Sequence, residues 1–166
     1  KSLIDSTKKK YAPKSKIIED LYGEKLALSL MKGNWTYFPA ICWRRDQLVR
    51  HSFRNGLNVT QDLALLIDQI LAGAHLIHIP TVAFEYRRHT NSDSSLKAVD
   101  GQRFKEESRL FNDLADEFQK NGWTSASRAS RLHLSSRANA LFHLPLALKR
   151  MNATGVGRLL AHAFGK

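Results

Sequence analysis

An apolar helix followed at once by an apolar strand constrains this chain more than any other feature. "QDLALLIDQILA" repeats leucine and isoleucine at helical spacing from Gln61 to Ala72, and Thr60 stands where an N-cap belongs. Gly73 supplies a stop, and "HLIHIP" then has the composition of a short buried strand ending at Pro80. A helix joined to a strand by so few residues predicts a layered α/β unit.

The sequence before this unit predicts a helix, an aromatic strand and a short helix. Apolar residues from Ile17 to Met31 are compatible with a helix that is interrupted near Gly23. "WTYFPAICWRR" is rich in aromatic and β-branched residues and predicts a short strand with Pro39 at an edge or bend. Residues 45–51 predict a short helix.

The sequence after the unit predicts one more strand and then helices only. "TVAFEYRRH", residues 81–89, predicts a strand that leads into a polar loop. Residues 97–121 repeat apolar side chains at helical spacing. Two further helices, 125–144 and 146–164, are expected on either side of Pro145, because proline removes a backbone donor.

The charge is concentrated in the C-terminal part of the chain. The formal net charge is +11, and Glu117 is the last acidic residue. The segment 118–166 holds eight Lys or Arg, so +8 of the total lies there and +3 before it. Such a balance favours anionic partners. A solvated basic helical face would produce the same pattern.

Three interpretations of this basic segment stay open. It lacks a recognition signature for nucleic acid and interleaves few aromatic residues, so nucleic acid is not the expected partner. "LFHLPLALKRMNATGVGRLLAHAF" could instead lie as an amphipathic surface on an anionic membrane. It could also pack onto the rest of the protein.

The cysteine, histidine and serine residues elsewhere in the chain do not predict a second functional site. Cys42 is the only cysteine, which excludes an internal disulfide and fits a reducing, cytoplasmic compartment. Its apolar neighbours predict that it lies in the core. His133, His143 and His162 show no metal-ligand spacing and are expected to be packed or surface imidazoles, and the serines of "SRASRLHLSSR" are expected at the surface.

Asp62 is the best candidate for a catalytic carboxylate. An acid in the first turn of a helix is common for a structural reason, since it offsets the partial positive charge there by about 0.3–1 kcal/mol. About 25 residues later, however, Arg87, Arg88 and His89 stand at a strand exit, where arginine forks and an imidazole suit a diphosphate. A base at the helix start and a basic strand exit fit a site that deprotonates a hydroxyl while an anionic leaving group is held.

These elements together resemble family 2 glycosyltransferases, the inverting nucleotide-sugar enzymes of GT-A fold. In that family an aromatic strand leads to an Arg-rich short helix, as in "YFPAICWRRDQLVR". A Glu-Asp motif then opens a helix, followed by glycine, an apolar strand, proline and a strand that ends Tyr-Arg-x-His-x-x-Ser. "TQDLALLIDQILAGAHLIHIPTVAFEYRRHTNS" matches nearly every element in order. The likeness covers residues 33–95.

The resemblance implies roles for individual residues. Asp62 matches the family's general base, which takes the proton from the acceptor hydroxyl. Arg87 and His89 match positions near the donor diphosphate and the metal, and His89 is thereby a candidate metal ligand. Trp35, Trp43 and Gln61 are candidates for the acceptor side. The implied partners are a UDP- or GDP-sugar donor and a glycan or lipid-linked acceptor.

Two departures from the family pattern bear on the metal and the donor. Gln61 stands where the family usually has glutamate. No Asp-x-Asp occurs anywhere, although the family uses that pair to hold a divalent metal, Mg²⁺ or Mn²⁺, against the diphosphate. The expectation is therefore a piece of a longer enzyme that lacks the donor-binding half, holds no metal by itself and is inactive alone.

The predicted fold is accordingly α/β, with two parts. Residues 1–96 are expected to form the C-terminal half of a GT-A catalytic domain, a mixed sheet with flanking helices. Residues 97–166 are expected to form a basic, all-helical extension. A cytoplasmic location is expected, with peripheral contact at the inner face of the membrane through the extension.

Overall fold

A computed structural model describes residues 10–83, 85 and 101–165 of the chain. In these ranges the fold is mainly helical, with one small sheet. The elements, in chain order, are β1 (Glu19–Leu21), α1 (Gly23–Lys32), α2 (Arg45–Arg50), α3 (Gln61–Leu71), β2 (Leu76–His78), α4 (Gln102–Lys120), α5 (Thr124–Leu132), α6 (Leu134–Lys149) and α7 (Ala153–Phe164).

The sheet consists of β1 and β2, which pair antiparallel with Asp20 opposite Ile77. β2 confirms the strand predicted after Gly73, whereas the helix predicted from Ile17 is wrong at its beginning. The residues before Gly23 form a strand because β2 offers them backbone partners that local sequence cannot reveal. His75, just before β2, stacks on Tyr22 with ring centroids 4.5 Å apart.

The aromatic segment predicted as a strand between α1 and α2 has no strand. Phe38–Ala40 forms a single 3-10 turn with proline at its start. Pro39 has no N–H to donate to a ladder, and its fixed φ suits the first turn of a helix. Cys42, predicted in the core, is exposed.

The main core is built by four helices, α1, α3, α4 and α5. The predicted helix at Gln61 and the predicted helix within residues 97–121 are both confirmed, and each contributes the apolar stripe that its spacing indicated. The buried members are Leu26, Ala27, Leu30, Met31, Leu63, Ala64, Leu66, Ile67, Ile70, Leu110, Phe111, Leu114, Phe118 and Ala126.

Polar contacts attach α5 to α1 and α4. The Glu24 carboxylate accepts hydrogen bonds from the backbone N–H groups of Ser125 at 2.7 Å and Ala126 at 3.2 Å, which caps the start of α5. Ser127 and Ser130 donate to carbonyl oxygens of α4 at 2.8 and 2.7 Å. These serines are buried, so the prediction that they lie at the surface is wrong.

Helices α6 and α7 form an antiparallel pair that packs on the first half of α4. A smaller apolar cluster joins them and consists of Phe104, Ala140, Ala147 and Leu159. The antiparallel direction follows from the close approach of the Arg137 guanidinium, near the start of α6, to Gly165 at the end of α7. We call α6 and α7 together the hairpin.

Pro145 does not separate two helices, contrary to the prediction. It lies inside α6, and the breaks fall instead at His133 and at Met151, both of which have positive φ. The carbonyl of Leu141 loses its N–H partner to the proline. Because Leu141 and Pro145 are both exposed, water can satisfy that carbonyl.

The observed class is a mixed α/β structure with predominant helices. The GT-A assignment stays a prediction, and in the described chain only β1 and β2 form strands. Residues 81–83 are not in a strand, and nearly all of the remaining predicted strand, with the boundary at residue 96, lies outside the described residues. No helix of the described part combines the length and the apolar character that crossing a bilayer requires.

Candidate functional site

Asp62 lies in the first turn of α3, where the sequence placed it. The apolar side of this helix fixes its start, because Leu63, Leu66 and Ile67 are buried in the main core. Asp62 lies at the end of the helix, in its first turn, and is exposed. The fold therefore presents this carboxylate to solvent from the first turn of a helix that is anchored in the main core.

The carboxylate of Asp62 makes no hydrogen bond or ion pair with any residue that the structure describes. Partial burial against the protein raises the pKa of Asp62 above its ordinary value. A carboxylate with a raised pKa is a stronger base than a free aspartate. Its place at the helix start also offsets the local partial positive charge.

The loop before Asp62 is held by a carboxylate from α4. Glu106 accepts hydrogen bonds from the backbone N–H groups of Asn58, Val59 and Thr60, the shortest at 2.7 Å, and from the Thr60 hydroxyl at 2.9 Å. Thr60 is the N-cap residue, as predicted, but its side chain does not bond to α3. Glu106 provides the negative charge at this helix start instead.

The pKa of Glu106 reports how firmly this loop is held. Burial by itself would raise that pKa, but the hydrogen bonds from Thr60, Val59 and Asn58 outweigh it and lower the pKa below the ordinary value. The ionised form is therefore the one that binds the loop. Through it, α4 sets the position of the segment that leads into Asp62.

A second tie between α3 and α4 lies at the far end of α3. Arg54 binds Asp68 of α3 through two parallel hydrogen bonds of 3.0 and 2.5 Å and contacts Glu117 of α4 at 2.7 Å. The bond to Asp68 is the largest cause of the raised pKa of Arg54. The bidentate geometry is specific to arginine, so both ends of α3 are fixed to α4 by charged groups.

Trp35 and Trp43, the candidates for the acceptor side, both pack on the main core. Trp35 donates from Nε1 to the Ser29 hydroxyl at 3.2 Å. Trp43 lies against Phe38 with ring centroids 5.5 Å apart, and its Nε1 has no acceptor among the described residues. Gln61 is partly buried beside Asp62 in the sequence. The indoles and Leu63, which follows Asp62, thus belong to one packed cluster.

Two of the predicted site residues and the metal are not located by the structure. Arg87 and His89 lie outside the described residues, so their proximity to Asp62 stays a prediction. In the part of the chain that is described, no group of three His, Cys, Asp or Glu could hold a metal ion. The described residues therefore do not fit a divalent cation, and no chemical step is assigned to one here.

A buried polar cluster connects α4 to the hairpin. Ser136 of α6 donates to Glu107 through a very short hydrogen bond, and its oxygen lies 2.8 Å from Nε2 of His162 in α7. The other ring nitrogen of His162 lies 2.8 Å from the Ser108 hydroxyl. Glu107 also binds Arg103 at 2.6 Å. All polar atoms of His162 thus have partners, which confirms it as a packed imidazole.

This serine, histidine and glutamate do not form a nucleophilic relay. In such a relay the imidazole accepts the serine proton and a carboxylate holds its other nitrogen. Here the Ser136 proton points to Glu107, so Nε2 of His162 donates to Ser136, and Nδ1 faces a second hydroxyl. Burial lowers the pKa of His162 to about 4. The neutral ring is a structural group.

Glu106 and Glu107, the two neighbouring acids that hold the loop and the hairpin, were not predicted as functional residues. The residues next to each of them in the sequence are typical of a solvent-exposed helix face. The groups bound by Glu106 lie 46–48 positions away. No local spacing signal could have identified either residue.

No family model matches the chain, and no curated protein and no solved structure matches it. The resemblance of residues 33–95 to family 2 glycosyltransferases therefore stays a prediction from the sequence pattern.

Proposed function

We propose that this chain supplies the acceptor side of an inverting glycosyltransferase. The reaction is transfer of a sugar from a UDP- or GDP-linked donor to a hydroxyl of a glycan or lipid-linked acceptor. The observation that carries the proposal is the exposed carboxylate of Asp62, which has no described partner, has a raised pKa and stands on an anchored helix start. The family pattern of the surrounding residues supports it.

In the proposed step Asp62 acts as the general base. Its carboxylate takes the proton of the acceptor hydroxyl while that oxygen attacks the anomeric carbon. The new bond forms on the face opposite the diphosphate, whose bond to the sugar breaks and takes the electron pair with it. One displacement inverts the configuration. A raised pKa for Asp62 favours proton acceptance, provided that the group is ionised at the working pH.

The proposal divides donor and acceptor contacts between different residues. Arg87 and His89 are assigned to the diphosphate, and Trp35 and Trp43 offer aromatic surfaces to the acceptor. Because these 166 residues contain no Asp-x-Asp, we assign Mg²⁺ or Mn²⁺ and most of the donor pocket to a longer enzyme. The chain alone is then expected to be inactive. We place the enzyme in the cytoplasm, at the inner face of the membrane.

The test replaces Asp62 with Asn in an enzyme that contains the donor-binding half. Loss of the general base should lower kcat by about 10²- to 10⁴-fold and leave donor affinity nearly unchanged. Sugar transfer is measured with purified enzyme, and donor binding by calorimetry. In the unsubstituted enzyme the rate should also fall in acid as Asp62 becomes protonated.

Asp46→Asn is the matched control, since Asp46 is also an exposed acid in the first turn of a helix. It pairs with Arg44 and has no proposed role in the reaction. Its rate should stay within about twofold of the unsubstituted enzyme, well inside 1 kcal/mol of activation free energy. A near-normal rate for Asp62→Asn would refute the assignment, as would an equal loss in both variants.

The second candidate is a non-enzymatic binding module for anionic partners. It is favoured by the segment 118–166, which has eight Lys or Arg and no acid. In that case Asp62 serves only to stabilise the helix start, and Asp62→Asn changes no activity. An Asp-x-Asp at a strand end in the parent reading frame would favour the enzyme over the module.

A further inference from the structure

Helix α6 differs from an ordinary surface helix in which side chains it buries. The side that faces α4 and α7 is formed by Ser136, Asn139, Ala140 and Ala147, all buried. Two of these are polar and two are small. The buried side of a surface helix normally holds its large apolar residues, so α6 gains little from burying this side.

Except for Leu144, which packs on the cluster under the hairpin, the large apolar residues of α6 face solvent. At 3.6 residues per turn they occupy an arc of roughly 160° around the helix. We call this arc the outer face; it consists of Leu134, Leu141, Phe142, Leu146 and Leu148, with exposures of 65%, 42%, 55%, 40% and 61%. Contiguous apolar surface of this kind on a folded protein marks an interaction site.

The neighbouring parts of the hairpin extend this character. Leu160 and Phe164 of α7 and Met151 between the helices are exposed, Met151 at 91%. Lys149 ends α6 and Arg150 follows it; both are exposed, and neither makes an ion pair with a described residue. No acid occurs after Glu117. The hairpin therefore combines exposed apolar side chains with the positive charges of Lys149 and Arg150, which no described acid pairs with.

We propose that the outer face binds an anionic phospholipid surface, with α6 lying parallel to the membrane plane. Leu141, Phe142 and Leu148 enter the boundary between headgroups and acyl chains, and Lys149 and Arg150 contact lipid phosphates. At 1.5 Å per residue the 16 residues of α6 extend about 24 Å, less than a hydrocarbon core of about 30 Å. The helix thus lies on the membrane and does not cross it.

The charge of the hairpin decides between lipid and a second copy of the chain. Pairing two outer faces would bring together two segments that each carry only positive charges, and like charges oppose such an interface. An anionic bilayer complements the same charge. This inference is independent of the proposed glycosyl transfer, because it depends only on the hairpin.

The test measures co-sedimentation of the chain with vesicles. The chain should bind vesicles of phosphatidylcholine that contain about a third phosphatidylglycerol at least tenfold more tightly than vesicles of phosphatidylcholine alone. Raising the salt from about 0.1 M to 0.5 M should weaken binding, because exposed charges are screened. The triple variant Leu141→Gln, Phe142→Gln, Leu148→Gln should lose at least tenfold in affinity.

The control variants make the same kinds of substitution at exposed positions off the hairpin. Val49 and Val82 are exposed at 77% and 91%, and Val49→Gln with Val82→Gln should leave binding unchanged. Lys149→Glu with Arg150→Glu should weaken binding at least tenfold. Lys25→Glu with Lys32→Glu changes the net charge equally and should weaken it much less. Circular dichroism checks that each variant is folded.

Three results would overturn the proposal. The first is no binding of the unsubstituted chain to the anionic vesicles. The second is equal binding by the outer-face variant and the valine control. The third is self-association in sedimentation velocity that the outer-face variant removes while vesicle binding is absent, which would assign the outer face to a second copy.

Discussion

Helices α4 and α6 are neighbours that divide their side chains in opposite ways. α4 turns Leu110, Leu114 and Phe118 inward and leaves its charged residues outside, apart from the buried Glu107. α6 turns serine, asparagine and alanine inward and leaves leucine and phenylalanine outside. The first helix gains stability from apolar burial. The second is attached by hydrogen bonds and a small apolar cluster, and its large side chains remain available to a partner.

The two helices should differ in stability because of the free energy gained by burying apolar side chains. Fully burying a leucine or phenylalanine side chain contributes about 1.5–3 kcal/mol, whereas an exposed one contributes little to folding. The main core collects such side chains from four helices. The cluster under the hairpin has one phenylalanine and one leucine, together with the polar group around His162. Stability should therefore be distributed unevenly along the chain.

The largest expected effect comes from two identical substitutions on the two helices. Phe118 is fully buried and Phe142 is 55% exposed. Phe118→Ala should lower the free energy of unfolding by about 3–5 kcal/mol, because it leaves a cavity in the main core. Phe142→Ala should change it by less than about 1 kcal/mol. Urea denaturation measures both, and equal losses would contradict the comparison.

A smaller effect is expected from acid, acting on the hairpin through His162. The pKa of His162 is lowered to about 4, first by burial and then by the nearby His133. The unfolded chain binds a proton near pH 6.5, so this contribution to stability is complete above pH 6.5 and is lost as the pH falls towards 4. The loss should reach about 2–3 kcal/mol by pH 4.5, since each unit of pKa difference is worth about 1.4 kcal/mol.

Urea denaturation at pH 7, 6, 5 and 4.5 measures this loss. Amide hydrogen exchange should show α6 and α7 opening before α3. His162→Gln should make the stability less dependent on pH in this range, and His75→Gln on the small sheet is the control. A pH dependence that His162→Gln leaves unchanged would locate the acid-sensitive group elsewhere.

The smallest expected effect concerns the carboxylate that holds the loop before Asp62. Glu106→Gln keeps an acceptor oxygen but loses the charge that favours three N–H bonds, so stability should fall by about 1 kcal/mol at pH 7. The folded pKa of Glu106 is lowered, so its contribution is present above the unfolded pKa and is lost as the pH falls through the folded pKa. The difference between the variant and the unsubstituted chain should therefore shrink below about pH 4.

Asp113→Asn, an exposed acid on the same helix, is the control for Glu106→Gln. It should change stability by less than about 0.5 kcal/mol. If the two variants behaved alike, Glu106 would have no special role in the loop. A loss that does not shrink in acid would mean that packing, and not the ionised carboxylate, holds the loop.

The elements that could be predicted from the sequence are those whose own apolar spacing shows which side is buried. The starts of α2 and α3 and the strand β2 follow their local patterns, and α4 lies inside its predicted range. β1 was missed because its residues form a strand only when β2 is beside them. Pro145 was misjudged because an exposed helix can tolerate the loss of one backbone donor.

In the candidate site, too, some features follow from the local sequence and others depend on distant residues. The position of Asp62 at a helix start follows from Thr60 and the apolar run after it. Its raised pKa and its lack of described partners depend on the packed surroundings, which local sequence does not define. The buried serines of α5 and α6 were predicted at the surface, because their acceptors belong to α4.

The caps provided by Glu24 and Glu106 make helix formation a long-range event. Ser125 is 101 positions from Glu24, and Asn58 is 48 positions from Glu106. The starts of α5 and α3 are therefore completed only after distant helices have docked. Non-local contacts of this kind raise the loop-closure entropy that folding must overcome. During synthesis, Glu24 can form its hydrogen bonds to the start of α5 only after residue 126 has left the ribosome.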